Sequence, residues 1–253
     1  MITAHMIMAF IFGAVIGSFL NVCIYRIPRK ESIVSPGSHC PGCSHALGFW
    51  DLVPFVSQIA LRAKCRYCGT KISFRYFFVE LMTALLFVAM YARFMVYVYS
   101  PLSFAMSLVL SSMLVVITFI DLDHKIIPDK ISYPGMITGL VFSLLVGGAP
   151  SLLSAVIGLF AGGGIIYLIV VLSKGGMGGG DVKLAAMLGA FLGWKLVLVN
   201  LFLSFFLGGI AATLLLLRKL KGRKDYIPFG PYLAIAAIIT VLWGQKILQL
   251  YLR

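Results

Sequence analysis

Carboxylates stand at the ends of apolar segments in a sequence that has only eight acidic residues. Asp121 directly follows one apolar run, and Asp181 follows Gly178, Gly179 and Gly180 and precedes another. Two carboxyl groups brought together can hydrolyse a peptide bond, because a neutral one polarises the carbonyl group while an ionised one takes a proton from water. The pair predicts aspartic protease chemistry. For Asp181 the simpler alternative is a helix N-cap.

Two further aspartates lie close to Asp121 in the sequence. Asp123 is two residues further on, and residues two apart point to nearly opposite faces of a helix. At most one of them can therefore meet Asp181, and we favour Asp121 because it lies nearest the apolar run. Asp129 follows Pro128 and is typical of a helix cap or a turn.

Four of the five cysteines form two Cys-x-x-Cys pairs with 21 residues between them, Cys40 with Cys43 and Cys65 with Cys68. Two such pairs suit tetrahedral Zn²⁺, because each short turn brings two thiolates to the ion and four sulfur ligands close the site. We expect a structural zinc site that staples a loop too small for a core of its own. A redox dithiol and an iron–sulfur site are the alternatives.

The segments that carry these residues are too apolar for a soluble domain, with 61% hydrophobic and 11% charged residues among 253. A transmembrane helix needs roughly 20 mostly apolar residues. Runs of this kind cover 6–24, 77–99, 102–120, 131–148, 151–172, 183–194, 196–217 and 231–251. The sequence thus predicts an all-α polytopic membrane protein with about eight transmembrane helices. Because 183–194 is short, seven spans and a re-entrant segment are the alternative.

Residues 25–75 form the one long polar stretch between predicted spans. We therefore expect a first transmembrane helix (1–24), a cytoplasmic zinc-binding loop (25–75) and a transmembrane core (76–253). With the N-terminus outside, 17 of the 21 Lys and Arg residues fall in cytoplasmic segments, as positive-inside orientation requires. Asp121 and Asp181 then lie at the cytoplasmic face. Topology and anionic lipid headgroups account for the net charge of +13, so we expect no nucleic-acid partner.

Taken together, these motifs resemble the type IV prepilin peptidase family over nearly the whole chain. The matching blocks are Gly13 to Pro28, the two cysteine pairs, Arg75 to Glu80, Asp121 to Asp129, Gly178 to Lys183 and Ile227 to Pro231. The resemblance implies that Asp121 and Asp181 are the catalytic pair, preceded by a substrate loop of Gly178, Gly179 and Gly180. It also implies a bacterial inner-membrane enzyme that cuts prepilin or pseudopilin precursors, and methylates the new N-terminus with S-adenosylmethionine.

The polar loop departs from the family pattern at three positions. Leu52 stands where the family commonly has Asn, Gln58 stands in place of an aromatic residue, and Ala63 stands in place of a glycine. All three lie in the part to which the resemblance assigns methyl transfer.

Two other classes of function stay open on the residues alone. Intramembrane carboxylates are also typical of transporters and channels, although there the charge lies at mid-bilayer depth. A zinc-containing, non-catalytic assembly factor of a secretion system is the second alternative. Glu80, about one turn inside the second predicted span, either pairs with Arg75 or another span or contacts a substrate.

Overall fold

The computed structural model describes residues 2–40, 42–173, 177–218 and 227–251. In these ranges the secondary structure is helical, apart from two isolated β-bridges. A short 3-10 turn covers Phe49–Asp51, and a π-helical segment covers Ala92–Tyr97. The described part contains seven α-helices, which are α1 (Ile2–Arg26), α2 (Val56–Ala60), α3 (Arg75–Tyr91), α4 (Pro101–His124), α5 (Asp129–Leu172), α6 (Gly179–Leu217) and α7 (Gly230–Tyr251).

Six of these helices are long and apolar enough to cross a membrane, α3 being taken with its π-helical extension. The prediction of an all-α, multi-pass membrane protein is therefore confirmed at this level. The predicted number of eight is not reached in this count. The reason is that α5 includes both predicted spans 131–148 and 151–172, and α6 includes both 183–194 and 196–217, each across a break in helical geometry.

Helix α5 has a sharp reversal inside its 44 residues. Gly147 and Gly148 leave helical geometry, with φ of −136° and +64°. The Ser143 hydroxyl donates a hydrogen bond to the Ser151 carbonyl oxygen at 2.8 Å. Residues eight apart lie about 12 Å apart along a straight helix, so this bond shows that the chain turns back on itself.

Helix α6 turns at Gly193, where φ is +74°. A Cβ atom on Gly162 of α5 would lie 2.5 Å from the Ala185 carbonyl oxygen and 3.0 Å from Val197 Cγ2. Ala185 and Val197 flank the turn and would be about 18 Å apart along a straight helix. Since both lie against Gly162, the second half of α6 folds back beside the first.

The chain divides into two compact units, Met1–Phe104 and Ala105–Arg253. In the first unit α1 packs closely on α3, because a Cβ atom on Gly13 or Gly17 would lie 2.7 Å from the Cα atom of Ala84 or Glu80 respectively. Small residues four apart permit this kind of helix contact. In the second unit α5 and α6 make the most extensive helix contact. This division does not test the predicted boundaries at 24 and 75, which stay a prediction.

Candidate active site

Asp121 lies in the last turn of α4 and is 2% exposed. Its Oδ2 atom accepts a hydrogen bond of 3.0 Å from the backbone N–H of Gly230, the first residue of α7. The C-terminal end of a helix disfavours negative charge, whereas an N-terminal end favours it. The start of α7 thus offsets the unfavourable position of this carboxylate in its own helix.

Asp181 is the third residue of α6 and is 3% exposed. Its Oδ2 atom accepts a hydrogen bond of 3.1 Å from the backbone N–H of Gly178, the residue before the helix. Asp181 is therefore not the N-cap residue itself. It makes the reach-back contact that an acidic residue makes in a capping box, and this contact fixes its side chain at the helix start.

Asp121 and Asp181 are close enough for their charges to interact. Both are buried, and each has one oxygen held by a backbone N–H group. Two buried carboxyl groups at such proximity hold one proton between them more readily than they carry two charges. The arrangement can therefore supply a neutral and an ionised carboxyl group at the same time.

The two neighbouring aspartates have different surroundings. Asp123 is exposed, as expected for a residue two positions from a buried one on the same helix. Asp129 is the first residue of α5 and accepts a hydrogen bond of 2.6 Å from Lys183 Nζ. The Lys183 ammonium also lies 5.4 Å from the centre of the Tyr133 ring. Asp129 thus ties the start of α5 to the first turn of α6.

The three glycines before Asp181 differ in the space around them. A Cβ atom on Gly180 would lie 2.9 Å from Ile127 Cβ, whereas one on Gly179 would meet nothing within 4 Å. Gly178 has an extended backbone and precedes the helix. Gly180 therefore lets the segment after α4 approach the start of α6, beside the carboxylate pair. The glycines at 175 and 176 lie outside the described residues.

The four paired cysteines converge in the first unit. Their Sγ atoms all lie within 4.8 Å of one another, and Cys40 Sγ is 3.7 Å from Cys68 Sγ. Tetrahedral Zn²⁺ with bonds of about 2.3 Å places two sulfur ligands about 3.8 Å apart. The cluster has the composition and spacing of a four-thiolate metal site.

The two cysteine pairs sit in two copies of one backbone turn. In the first, the N–H groups of Cys40 and Ser44 bond the carbonyl oxygens of His45 and Cys40. In the second, Cys65 bonds Thr70 and Gly69 bonds Cys65 in the same pattern. Each turn places one residue at positive φ, Ser44 at 56° and Gly69 at 70°. The metal-binding module is thus an internal repeat that the sequence shows only through its cysteines.

Two buried charged residues of the first unit have roles that sequence reasoning missed. Arg26, 6% exposed, donates hydrogen bonds to three loop carbonyl oxygens, those of Ser32, Pro36 and Gly37. Glu80, 5% exposed, accepts a hydrogen bond of 3.1 Å from the Phe55 N–H. The expected alternatives for Glu80 were an ion pair or a substrate contact. For Glu80 the available signal was its place inside a predicted span, because an unpaired charge there is costly; Arg26 lies outside the predicted spans and gave no such signal.

Comparisons with known proteins agree along the chain. Residues 11–94 match the Bacterial Peptidase A24 N-terminal domain, and residues 108–213 match the Type IV leader peptidase family. A relative from Aeromonas hydrophila is 39% identical over 97% of this chain and 93% of its own. One from Pseudomonas aeruginosa is 34% identical over 99% and 94%. Both carry the name prepilin leader peptidase/N-methyltransferase.

No solved structure matches the chain significantly. The two relatives nevertheless cover almost the full chain, at 39% and 34% identity. The chain belongs to the type IV leader peptidase family.

Proposed function

We propose that the chain cleaves the leader from prepilin or pseudopilin precursors, with Asp121 and Asp181 as the catalytic pair. One observation carries the proposal: two carboxylates, at the end of α4 and the start of α6, are buried, and each has one oxygen held by a backbone N–H group. The names of the relatives supply the substrate class. In this role the ionised carboxyl takes a proton from water, and the neutral one hydrogen-bonds the scissile carbonyl oxygen.

The hydrolysis needs no covalent intermediate with the protein. The water oxygen forms a bond to the carbonyl carbon as its proton passes to the ionised carboxyl. The peptide C–N bond then breaks, and the proton returns to the leaving amine. The pair as a unit ends as it began, with one proton, so Asp121 and Asp181 share the step and neither has a separable contribution.

The proposed topology has eight membrane crossings, because α5 and α6 each reverse once. The hydrogen bond from Ser143 to Ser151 and the double contact of Gly162 support this count. The excess of Lys and Arg on one side supports an outside N-terminus. Asp121 and Asp181 then face the cytoplasm at the inner membrane of a bacterium, and the lipid bilayer surrounds the exposed apolar helix faces.

We also propose that the cysteine cluster of Cys40, Cys43, Cys65 and Cys68 binds one structural Zn²⁺ ion. The spacing of the sulfur atoms fits tetrahedral coordination. Four thiolates leave no open position for a substrate, so the ion would stabilise the loop and take no part in cleavage.

The name of the relatives includes a second activity, N-methyl transfer, and we assign it to the first unit. S-adenosylmethionine would supply the methyl group as a sulfonium cation, which suits the faces of aromatic rings. The loop offers such faces in Phe55 and Phe74, and the first turn of α3 offers one in Phe77. The Phe77 ring centre lies 5.2 Å from that of Phe55 and 5.1 Å from that of Phe74. Phe74 is 68% exposed and accessible to a ligand. These are the residues that would hold the cation.

The decisive experiment replaces each aspartate with Asn, which keeps size and hydrogen bonding but cannot take the proton. Asp121→Asn and Asp181→Asn should each lower the rate of cleavage of a co-reconstituted prepilin by about 10²–10⁴-fold. The double variant should be scarcely slower than either single variant, because the residues share one step. Asp123→Asn, in the same helix but exposed, is the matched control and should keep most of the activity.

Mass spectrometry of the pilin reads both activities at once. Loss of the leader reports cleavage, and a gain of about 14 Da reports methylation. Substantial cleavage by Asp181→Asn would overturn the mechanism. Loss of cleavage in Asp123→Asn with normal cleavage in Asp121→Asn would make Asp123, and not Asp121, the partner of Asp181. Full cleavage by the wild type without any mass gain would remove the second activity alone.

A further inference from the structure

We infer that Gly230 is a positioning residue for cleavage, and that the first peptide N–H of α7 holds Asp121 in place for its partner. This inference rests on the proposed catalytic pair and adds a third element to it. The observation behind it is the buried hydrogen bond of 3.0 Å from the Gly230 N–H to Asp121 Oδ2, between residues 109 positions apart.

The hydrogen-bond donors at the start of α7 are arranged so that this one serves Asp121. A helix N-terminus normally has several N–H groups without a partner in the helix. In α7 the next residue, Pro231, has no N–H group. The N–H groups of Tyr232 and Leu233 both donate to the Phe229 carbonyl oxygen, at 3.0 and 3.2 Å. Gly230 thus supplies the donor of this turn that reaches another helix, and that donor meets the carboxylate.

The same geometry explains why residue 230 is a glycine. A Cβ atom at this position would lie 2.6 Å from Asp121 Oδ2 and 3.2 Å from Asp121 Cγ. Gly230 and Pro231 are both buried, so the helix start has little room to move away. Any side chain would therefore displace the carboxylate or the start of α7. The glycine permits this backbone-to-carboxylate contact without displacing either group.

The contact has a direct consequence for the pair. Gly230 holds one oxygen of Asp121, and Gly178 holds one oxygen of Asp181. The second oxygen of each carboxylate is then left for the shared proton and the water. A displacement of a reacting group by 1 Å can lower a rate by about 10²-fold. Gly230 should therefore affect the chemical step and not the binding of the precursor.

The test is Gly230→Ala in the full-length protein, reconstituted with a prepilin in lipid vesicles. We expect kcat to fall by about 10²-fold, with KM within about twofold of wild type, since the substrate contacts are unchanged. Gly164→Ala is the matched control, because it adds a Cβ atom to a helical glycine with nothing within 4 Å. It should keep the wild-type kcat. A wild-type kcat for Gly230→Ala would overturn the inference, as would a rise in KM alone.

A double-mutant cycle of unfolding temperatures tests the contact even if Gly230→Ala loses activity because it folds poorly. Removing the carboxylate with Asp121→Ala makes space for the added Cβ atom, so Gly230→Ala should lower the unfolding temperature less in that background than in wild type. Equal losses in both backgrounds would show that the contact does not exist, and would overturn the inference. Asp181→Asn distinguishes a failure of the proposed function from a failure of the positioning role. If this variant still cleaves the prepilin, the proposed function fails. If it does not cleave while Gly230→Ala has normal kcat, only the positioning role fails.

Discussion

The two compact units hold their shape in different ways. Among the described residues of the first unit, six other than glycine have positive φ, namely Lys30, Ser44, Phe55, Arg62, Ala63 and Tyr99. In the described part of the second unit, Lys125 is the one such residue. Positive φ is strained for residues with a side chain. The loop of the first unit is therefore kept in its conformation by contacts that outweigh local preference, whereas the second unit consists mainly of relaxed helices.

The clearest case of imposed conformation is the turn at Phe55. Its φ and ψ are 61° and −49°, and the Val56 N–H bonds the Pro54 carbonyl oxygen at 2.6 Å. This is a γ-turn of the rare, strained type, which costs of the order of 1–3 kcal/mol. Glu80 offsets the strain by accepting the Phe55 N–H. Phe10 stacks on the Phe55 ring at 5.7 Å.

The second unit depends on close approach of backbones. Gly158 and Gly189 face each other across α5 and α6, and a Cβ atom on Gly189 would collide with the Gly158 carbonyl group. The first unit should therefore be destabilised by the loss of a single stabilising contact. The second should be sensitive to added volume.

The largest effect should come from removing the anchor of the metal-binding module. Cys40→Ser removes one of the four thiolate ligands and should abolish zinc binding. Metal binding supplies about 10–16 kcal/mol of folding free energy in small zinc modules, so the loop should lose most of its stability without the ion. We expect methyl transfer to fall by at least about tenfold, and cleavage to change by less than about threefold, because the carboxylate pair lies in the other unit. Elemental analysis and mass spectrometry of the pilin would measure both.

Cys23→Ser is the matched control for that change, because Cys23 is buried in α1, outside the cluster. It should leave the metal content at one ion per chain. Wild-type protein purified under reducing conditions without metal would contradict the proposed zinc site. Equal losses of cleavage and methylation in Cys40→Ser would remove the distinction between the units.

A smaller effect is expected from added volume in the second unit. Gly162→Ala places a methyl group against the Ala185 carbonyl oxygen, and overpacking of this kind costs about 1–3 kcal/mol. Gly164→Ala, two residues further along α5, enters open space and should change stability by no more than about 0.5 kcal/mol. Thermal unfolding in detergent would compare the two. If both variants unfold at the same temperature, close backbone contact does not hold this unit together.

The smallest effect should be a gain in the first unit. Ala63 has φ of 52°, and a left-handed conformation costs a residue with a Cβ atom roughly 1–2 kcal/mol. Ala63→Gly should stabilise the loop by about 0.5–1 kcal/mol after the entropy cost of glycine. Ala60→Gly, at the end of α2, should do the opposite because Ala60 is helical. Protease resistance of the loop would show the sign. A loss of resistance in Ala63→Gly would disprove strain at this position.

The sequence predicted the helical class, the family and the cysteine cluster because each depends on composition or on short, fixed spacing. It also singled out three departures from the family pattern, and at two of them, Ala63 and Gln58, the structure shows an unfavourable feature. Ala63 occupies a conformation suited to the glycine of the family pattern, and Gln58 has a buried Oε1 atom without a hydrogen-bond partner. A pattern can reveal such positions because the residue type itself is incongruous.

Other features could not be predicted, because they depend on contacts between distant segments. The bonds of Glu80 to the Phe55 N–H and of Asp121 to the Gly230 N–H join residues 25 and 109 positions apart. Both use a backbone N–H group as the donor, so the side-chain pattern does not indicate which carboxylate that group meets. The reversals of α5 and α6 differ from these contacts, because they fall at Gly147 and Gly148 and at Gly193, between segments that the sequence analysis treats as separate spans.

The reversal in α5 bears on how the protein is inserted into its membrane. From Ile131 to Ser173 the chain carries no Asp, Glu, Lys, Arg or His, and the turn is closed by a hydrogen bond between Ser143 and Ser151. A hairpin of this composition requires no charge to cross the bilayer. The two halves can therefore enter the lipid together during synthesis, as one pre-paired unit. The turn of α6 carries Lys195, two residues after Gly193. In the proposed topology this turn lies outside, so inserting α6 would move a cation across the bilayer, whereas inserting α5 would not.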